Sequence, residues 1–128
     1  MNVSDIVTLG DATLTVIHPA THKPTDAKIT ICGPETKQFR NSIRLLVQSQ
    51  ASVKEAEESA REAALQAEVV AHLARITVGW ENIELDNEEL EFNKENAIKL
   101  YSEYGFITRQ VDIFASNTGN FYVGPQTK

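Results

Sequence analysis

One cysteine, one tryptophan and one methionine occur in 128 residues, and several function classes go with that scarcity. A lone Cys32 excludes an internal disulfide framework and fits a reducing compartment. The N-terminus lacks the charged and apolar zones of a signal peptide, and no apolar run is long enough to span a bilayer. A cytoplasmic protein without membrane contact is the expectation. Basic residues are also short, 12 Lys and Arg against 18 Asp and Glu, for a formal net charge of −6. Nucleic-acid binding draws most of its affinity from cations that neutralise phosphates, so no nucleic-acid partner is expected. Lys37, Arg40 and Arg44 fall on roughly one helical face and read as a solvated face.

Catalytic signatures are missing too. There is no Gly-x-Ser-x-Gly elbow, and Gly33-Pro34 lacks the repeated glycines and lysine of a phosphate loop. Cys32 falls inside an expected strand, not at a helix N-terminus that would activate it, and reads as a small buried apolar residue. His18 and His22 flank Pro19 in a loop, and the expected strand register sets Cys32 opposite Thr13, far from His22, which argues against zinc. Asp86, Glu88, Glu89 and Glu91 supply hard oxygens, but residues 84–95 hold no glycine for the sharp turn of a calcium loop. They read as a solvated acidic turn. His72, one turn after Glu68, reads as half of a surface pair. The chain is therefore expected to be no enzyme and to carry no cofactor or metal.

What is present suits a single domain over residues 1–128, with 41% hydrophobic and 23% charged residues. Met1 to Gly10 is a weakly specified lead-in. Ala12–Ile17 and Ala27–Ile31 are rich in Thr, Val and Ile and predict two strands around a loop at residues 18–26. Opposing Leu14 to Ile31 and Val16 to Ile29 gathers four apolar side chains on one face. A two-stranded hairpin is marginal alone, so a helix or a second copy must cover that face. Beyond Gly33-Pro34 a helix is expected from about Glu35 to Gln50, with Phe39, Ile43, Leu46 and Val47 as its stripe.

Ser52-Val53-Lys54-Glu55 has the form of a capping box, opening a long helix from about Val53 to Thr77. Val53, Ala56, Ala60, Ala63, Ala67, Val70 and Ala74 make an alanine-rich seam along it, widened by Leu65, Val69, Leu73 and Ile76. The seam reads either as internal packing of an antiparallel helix pair or as an oligomer or partner seam, and the two are compatible. A kinked rod continuous with the preceding helix is the alternative. Gly79 reads as the stop. Asn93 then caps a short helix from Lys94 to Tyr104 with a Glu95/Lys99 pair, and Gly105 stops it. A last helix from about Ile107 to Ser116 aligns Ile107, Val111 and Phe114, and residues 117–128 read as a loose tail. The expected fold is α+β and mainly α-helical: a hairpin region at 1–34, then about four helices over 35–116, one of them long and alanine-rich.

The only tryptophan lies in Gly79-Trp80-Glu81-Asn82-Ile83, beside the acidic stretch. An indole there anchors packing or a contact surface, because it buries a large apolar area and keeps one polar handle. Trp80, Ile83, Phe92 and Tyr101, with the apolar edge Leu73 and Ile76, are the candidates for protein contact, each against a plain core role. Together with His18-Pro19-Ala20-Thr21, Ile29-Thr30-Ile31-Cys32-Gly33-Pro34, Leu90-Glu91-Phe92-Asn93-Lys94-Glu95-Asn96-Ala97, Gln110-Val111, Phe114-Ala115 and Asn120-Phe121, this pattern resembles the tail assembly chaperones of long-tailed, siphovirus-type bacteriophages. The resemblance covers most of the chain. It implies a protein of the host cell cytoplasm, absent from the mature virion, that holds the tape-measure protein soluble and helps recruit tail-tube protein around it. Such families often make a longer second product by ribosomal slippage. A structural virion component, such as a tail completion or head–tail connector protein, is the alternative, since the same elements suit a ring subunit. A small adaptor or regulator unrelated to phage is a third.

Overall fold

The computed structural model of the chain describes residues 1–53 and 57–123. In chain order its elements are β1 (Val7–Thr8), β2 (Asp11–Ile17), β3 (Pro24–Cys32), α1 (Lys37–Val53), α2 (Glu58–Ile76), β4 (Thr77–Glu81), β5 (Glu84–Leu85), β6 (Glu88–Glu89), α3 (Lys94–Glu103), α4 (Gly105–Ser116) and β7 (Tyr122–Val123). Short 3-10 turns sit at Val3–Asp5 and Thr118–Phe121. The architecture is mixed α+β with helix dominant, and the hairpin comes first, as the residue pattern predicts.

β2, β3 and β4 form an antiparallel sheet with β3 in the middle. Leu14 pairs with Ile29 and Ala12 with Ile31, a slip of two residues from the expected register. A slip of two leaves side-chain direction unchanged, so Leu14, Val16, Ile29 and Ile31 are still all buried. The slip arises because β3 begins early, at Pro24, leaving only residues 18–23 to turn. Pro24 is tolerated there because β4 pairs with β3 only between Lys28 and Ile31, so its missing N–H is not needed. A bulge interrupts β2 near Val16, whose carbonyl accepts the Thr25 hydroxyl at 2.7 Å. On the outer edge of β2, the Gln110 amide of α4 stands in for a strand. It accepts the Ile17 N–H and donates to the Ile17 carbonyl, both at 2.8 Å.

β4 corrects the expected all-helical region at 35–116. Gly79 is no helix stop; Thr77, Val78 and Trp80 are β-prone, and they pull the chain straight from α2 into the sheet, with Trp80 opposite Ile29. The acidic stretch also folds, as the β5–β6 hairpin. Its turn residues Asp86 (φ 54°) and Asn87 (φ 66°) both take the left-handed region that a two-residue type I′ turn requires.

Among the helices, α1 starts at Lys37 because the Thr36 hydroxyl oxygen accepts the Phe39 N–H at 3.2 Å. It runs on to Val53, so Ser52 lies in its last turn and opens no new helix; Lys54 and Glu55 of the expected capping box lie outside the described residues. α1 and α2 are antiparallel neighbours and not one rod: Gln38 bonds the Arg75 carbonyl and, further along α1, Ser42 bonds His72, further back on α2. The alanine seam is split. Val70 and Ala74 pack into the core, while Ala60, Ala63 and Ala67 continue the stripe into solvent, and Ala56 lies outside the described residues. On α3, Asn93 caps as expected, accepting the Asn96 N–H at 2.8 Å. Gly105 begins α4 and stops nothing, since Tyr104 makes the joint and the Thr108 hydroxyl satisfies the Tyr101 carbonyl at 2.6 Å.

The core lies between the inward sheet face and α2, α3 and α4, with Ile29, Ile31, Leu73, Ile76, Tyr101 and Val111 at its centre. Of the expected loose tail, residues 117–123 are anchored to the core through Phe121, and 124–128 lie outside the described residues. Phe121 is fully buried edge-on to Phe114, with ring centroids 5.7 Å apart, and its carbonyl accepts the Leu9 N–H at 2.8 Å. β7 pairs with β1, which orders the lead-in. Gly33 completes this corner: a Cβ there would stand 2.7 Å from the Leu9 carbonyl oxygen, so only glycine fits without a shift. Phe121→Ala is expected to cost roughly 3–5 kcal/mol in urea unfolding. A loss below about 1 kcal/mol would mean that the C-terminal segment is not part of the core.

Candidate protein-contact surfaces

The candidate contact residues divide sharply by burial. Leu73 and Ile76 expose nothing and Tyr101 1%, so these three are core side chains, while Ile83, 6% exposed, is core but shows an edge at the surface. The reason is position: the end of α2 and the middle of α3 face the sheet, which the stripe alone does not reveal. Trp80 and Phe92 remain half-buried. They meet edge to face with ring centroids 4.9 Å apart, and the Trp80 indole N–H donates to the Leu90 carbonyl at 2.8 Å. Trp80 thus fastens residues 90–92 onto the sheet, with its polar handle already used.

Two buried polar clusters hold this frame. The Tyr101 hydroxyl donates to Thr77 Oγ1 at 2.7 Å, and Thr77 in turn donates to the Leu73 carbonyl at 2.7 Å. Burial pushes the Tyr101 phenol up to about 12. Between α1 and α2, the Ser42 hydroxyl lies 2.7 Å from His72 Nδ1 and accepts from Arg75 Nε at 2.8 Å. The guanidinium can only donate, so Ser42 Oγ accepts from Arg75, while the direction of the Ser42–His72 bond follows the imidazole tautomer. His72 is no surface partner of Glu68 but a buried member of this cluster, with Phe39 edge-on to its ring at 5.7 Å. A serine beside a histidine invites a nucleophile reading, yet Ser42 is buried with its proton and acceptor capacity engaged, so it acts as a clasp between helices. Its place among Phe39, Leu46 and Val53 on one face of α1 is the signal that sequence reading passed over.

An open groove lies at the other end of the sheet. About 460 Å³ of space is framed by Val16, Ala27, Ile83, Phe106 and Ile107. A second hollow of about 260 Å³ shares Ile83, Phe106 and Ile107 and runs on to Leu85 and Tyr104. The floor is apolar and the rim carries Asp26, Glu84 and Asp86. Asn82, in the left-handed region at φ 59°, donates its side-chain amide to the Asp26 carbonyl at 3.0 Å and ties the two banks together. At one end the loop is shaped by His18, whose Nδ1 accepts the N–H groups of Ala20 and Thr21 at 3.1 and 3.3 Å. Of the six expected contact residues only Ile83 reaches this groove, as part of its floor; Phe106, Asp26 and Glu84 were missed because they come together only through the fold. Such an arrangement offers apolar burial plus fixed negative charge, which suits an amphipathic cationic segment.

Cys32 is buried 3% exposed, paired with Asp11 at the sheet's opposite end from His22, and burial raises its thiol above the usual range. Among the described residues no group of three His, Cys, Asp or Glu is arranged to hold a metal ion. Comparison of the chain with models of known protein families, with curated proteins and with solved structures found no match.

Burial, and next the Arg75 charge, hold the His72 pKa below its ordinary value of 6.5. The unfolded chain then takes up the proton first, so the clasp contributes fully above about pH 6.5 and loses stability as pH falls through and below it. The wild-type melting temperature is expected to fall more between about pH 7.5 and pH 5.5 than that of His72→Gln, which keeps an acceptor but cannot titrate. Parallel curves for the two proteins would contradict the buried neutral imidazole.

Proposed function

We propose that the chain is a tail assembly chaperone of a long-tailed bacteriophage. In the host cytoplasm it binds the tape-measure protein, keeps it soluble and helps recruit tail-tube subunits, and it leaves no copy in the mature virion. The resemblance of residues 79–83 and 90–97, with the hairpin and the C-terminal aromatic pair, motivates the reading. The observation that carries it is the apolar groove with its carboxylate rim.

The physical logic is that of a client that is dangerous when bare. A tape-measure protein presents long helices with apolar faces, and such surfaces aggregate before assembly covers them. A helix laid in the groove would turn its apolar row to Ile83, Phe106 and Ile107 and its Lys and Arg toward Asp26, Glu84 and Asp86. The groove is shallow and open, which favours capture that can be reversed when tail-tube subunits arrive. No described helix is long and apolar enough to cross a membrane, and the partners in this reading are proteins.

Co-expression with a tape-measure fragment tests it. The fragment is expected to stay soluble and to co-purify with the wild-type chain. Phe106→Glu, which sets a charge on the apolar floor, is expected to weaken capture at least about tenfold while the protein still folds cooperatively. An insoluble fragment, or undiminished capture by a folded Phe106→Glu protein, would contradict the assignment.

A further inference from the structure

Where the first turns of α1, the end of α2 and the start of α3 meet, the surface dips into an open hollow of about 380 Å³. Ala74 and Phe92 give it apolar walls, and its two charged lining residues, Arg75 and Lys94, are both cations. Among the described residues no carboxylate lines it. In a chain of net charge −6 this is a local reversal of sign. The hollow shares no lining residue with the groove, whose rim is carboxylate.

The two cations are held differently. Arg75 is half-buried and fixed: its Nε donates to Ser42 Oγ at 2.8 Å and its Nη2 to the Ser42 carbonyl at 3.2 Å. The Arg75 carbonyl is tied in turn by the Gln38 side-chain amide at 2.7 Å. Those bonds account for one edge of the guanidinium. Nη1 has no partner among the described residues, and neither does the Lys94 ammonium. A clasp between α1 and α2 explains Nε and Nη2, but it leaves the other guanidinium edge, Lys94 and the hollow itself unused. Lys94 opens α3, so the positive end of that helix adds to the same field.

A guanidinium pinned along one edge presents its remaining N–H groups in a fixed plane, the arrangement that grips a carboxylate. The apolar walls favour a carboxylate on an apolar stem over a small hydrated anion, because they repay desolvation only if something apolar covers them. We propose that this hollow binds an acidic peptide segment of a protein partner. Its carboxylate sits between Arg75 and Lys94, and a neighbouring apolar side chain lies on Phe92 and Ala74. The site selects the charge opposite to that of the groove, so it serves a second partner beside any cationic client. It holds whether or not the groove captures one.

The test is an NMR titration of the full chain with the peptide Ac-Phe-Glu-Asp-Leu-NH2, following the Trp80 indole N–H. That signal is unique in the chain, and its ring lies edge-on to Phe92 at 4.9 Å, at the hollow's wall. A saturable shift with a Kd below about 1 mM is expected in about 50 mM salt, at least about tenfold weaker in about 500 mM salt. The neutral peptide Ac-Phe-Gln-Asn-Leu-NH2 should bind at least about tenfold more weakly. Lys94→Glu changes an exposed position where an acidic residue suits the helix start, so it should keep the melting temperature and lose binding at least about tenfold. Phe106→Glu, in the groove, should bind the acidic peptide as the wild type does. No saturable shift, equal binding of the neutral peptide, undiminished binding by Lys94→Glu, or inorganic phosphate binding as tightly as the peptide would overturn the proposal. Loss of peptide binding in Phe106→Glu would also overturn it, by placing the peptide in the groove. None of these results bears on capture of a tape-measure fragment, so the two assignments fail separately.

Discussion

The C-terminal half of α2 is the constraint on which the rest of the molecule depends. Leu73 and Ile76, fully buried, press it against Ile29 and Ile31 of the central strand, and α3 and α4 pack around that contact. Its other half has no such floor. Residues 58–63 are exposed throughout, and there α2 serves only as a rail for α1. One helix thus divides the protein into a packed body and a helical pair, whose two helices the Ser42–His72–Arg75 clasp joins. The body presents the acidic groove, and the cation-lined hollow lies where the pair meets the body.

Local rules carried the sequence reading where they were sufficient. Period-two alternation placed Leu14, Val16, Ile29 and Ile31 on a buried face even though the register was two residues off, because both registers obey the same alternation. Asn93 was recognisable because its capping bond reaches only three residues along the chain. Failures came where a distant partner decided. Gly79 resembles a helix stop in isolation, but an available edge of β3 turns Thr77–Glu81 into a strand. Ser52 resembles a cap, yet α1 continues through it. Asn117–Val123 is polar and glycine-bearing, but one residue, Phe121, finds a pocket and holds the whole segment down.

The candidate surface was less legible than the fold, for a related reason. The sequence points to large apolar residues as contacts, and burial is what most large apolar residues do. Tyr101, Leu73 and Ile76 followed that rule, and Trp80 spent its indole on Phe92 and Leu90. The groove draws on the β2–β3 loop, residues 82–86 and the start of α4, far apart in sequence, with an Asn82 hydrogen bond linking the first two. The charges around it did stand out in the sequence, as an acidic stretch. Their meaning depends on where the fold sets them, beside an apolar floor.

Under the proposed function, the groove between the hairpin loop and the start of α4 holds a helical client. Hydrogen–deuterium exchange on the full chain, with and without a soluble tape-measure fragment, addresses it most directly. Protection is predicted to appear in segments 16–27, 82–86 and 104–107, with little change across the β1–β7 corner. Protection confined to other segments, or none at a client concentration that saturates binding, would contradict it.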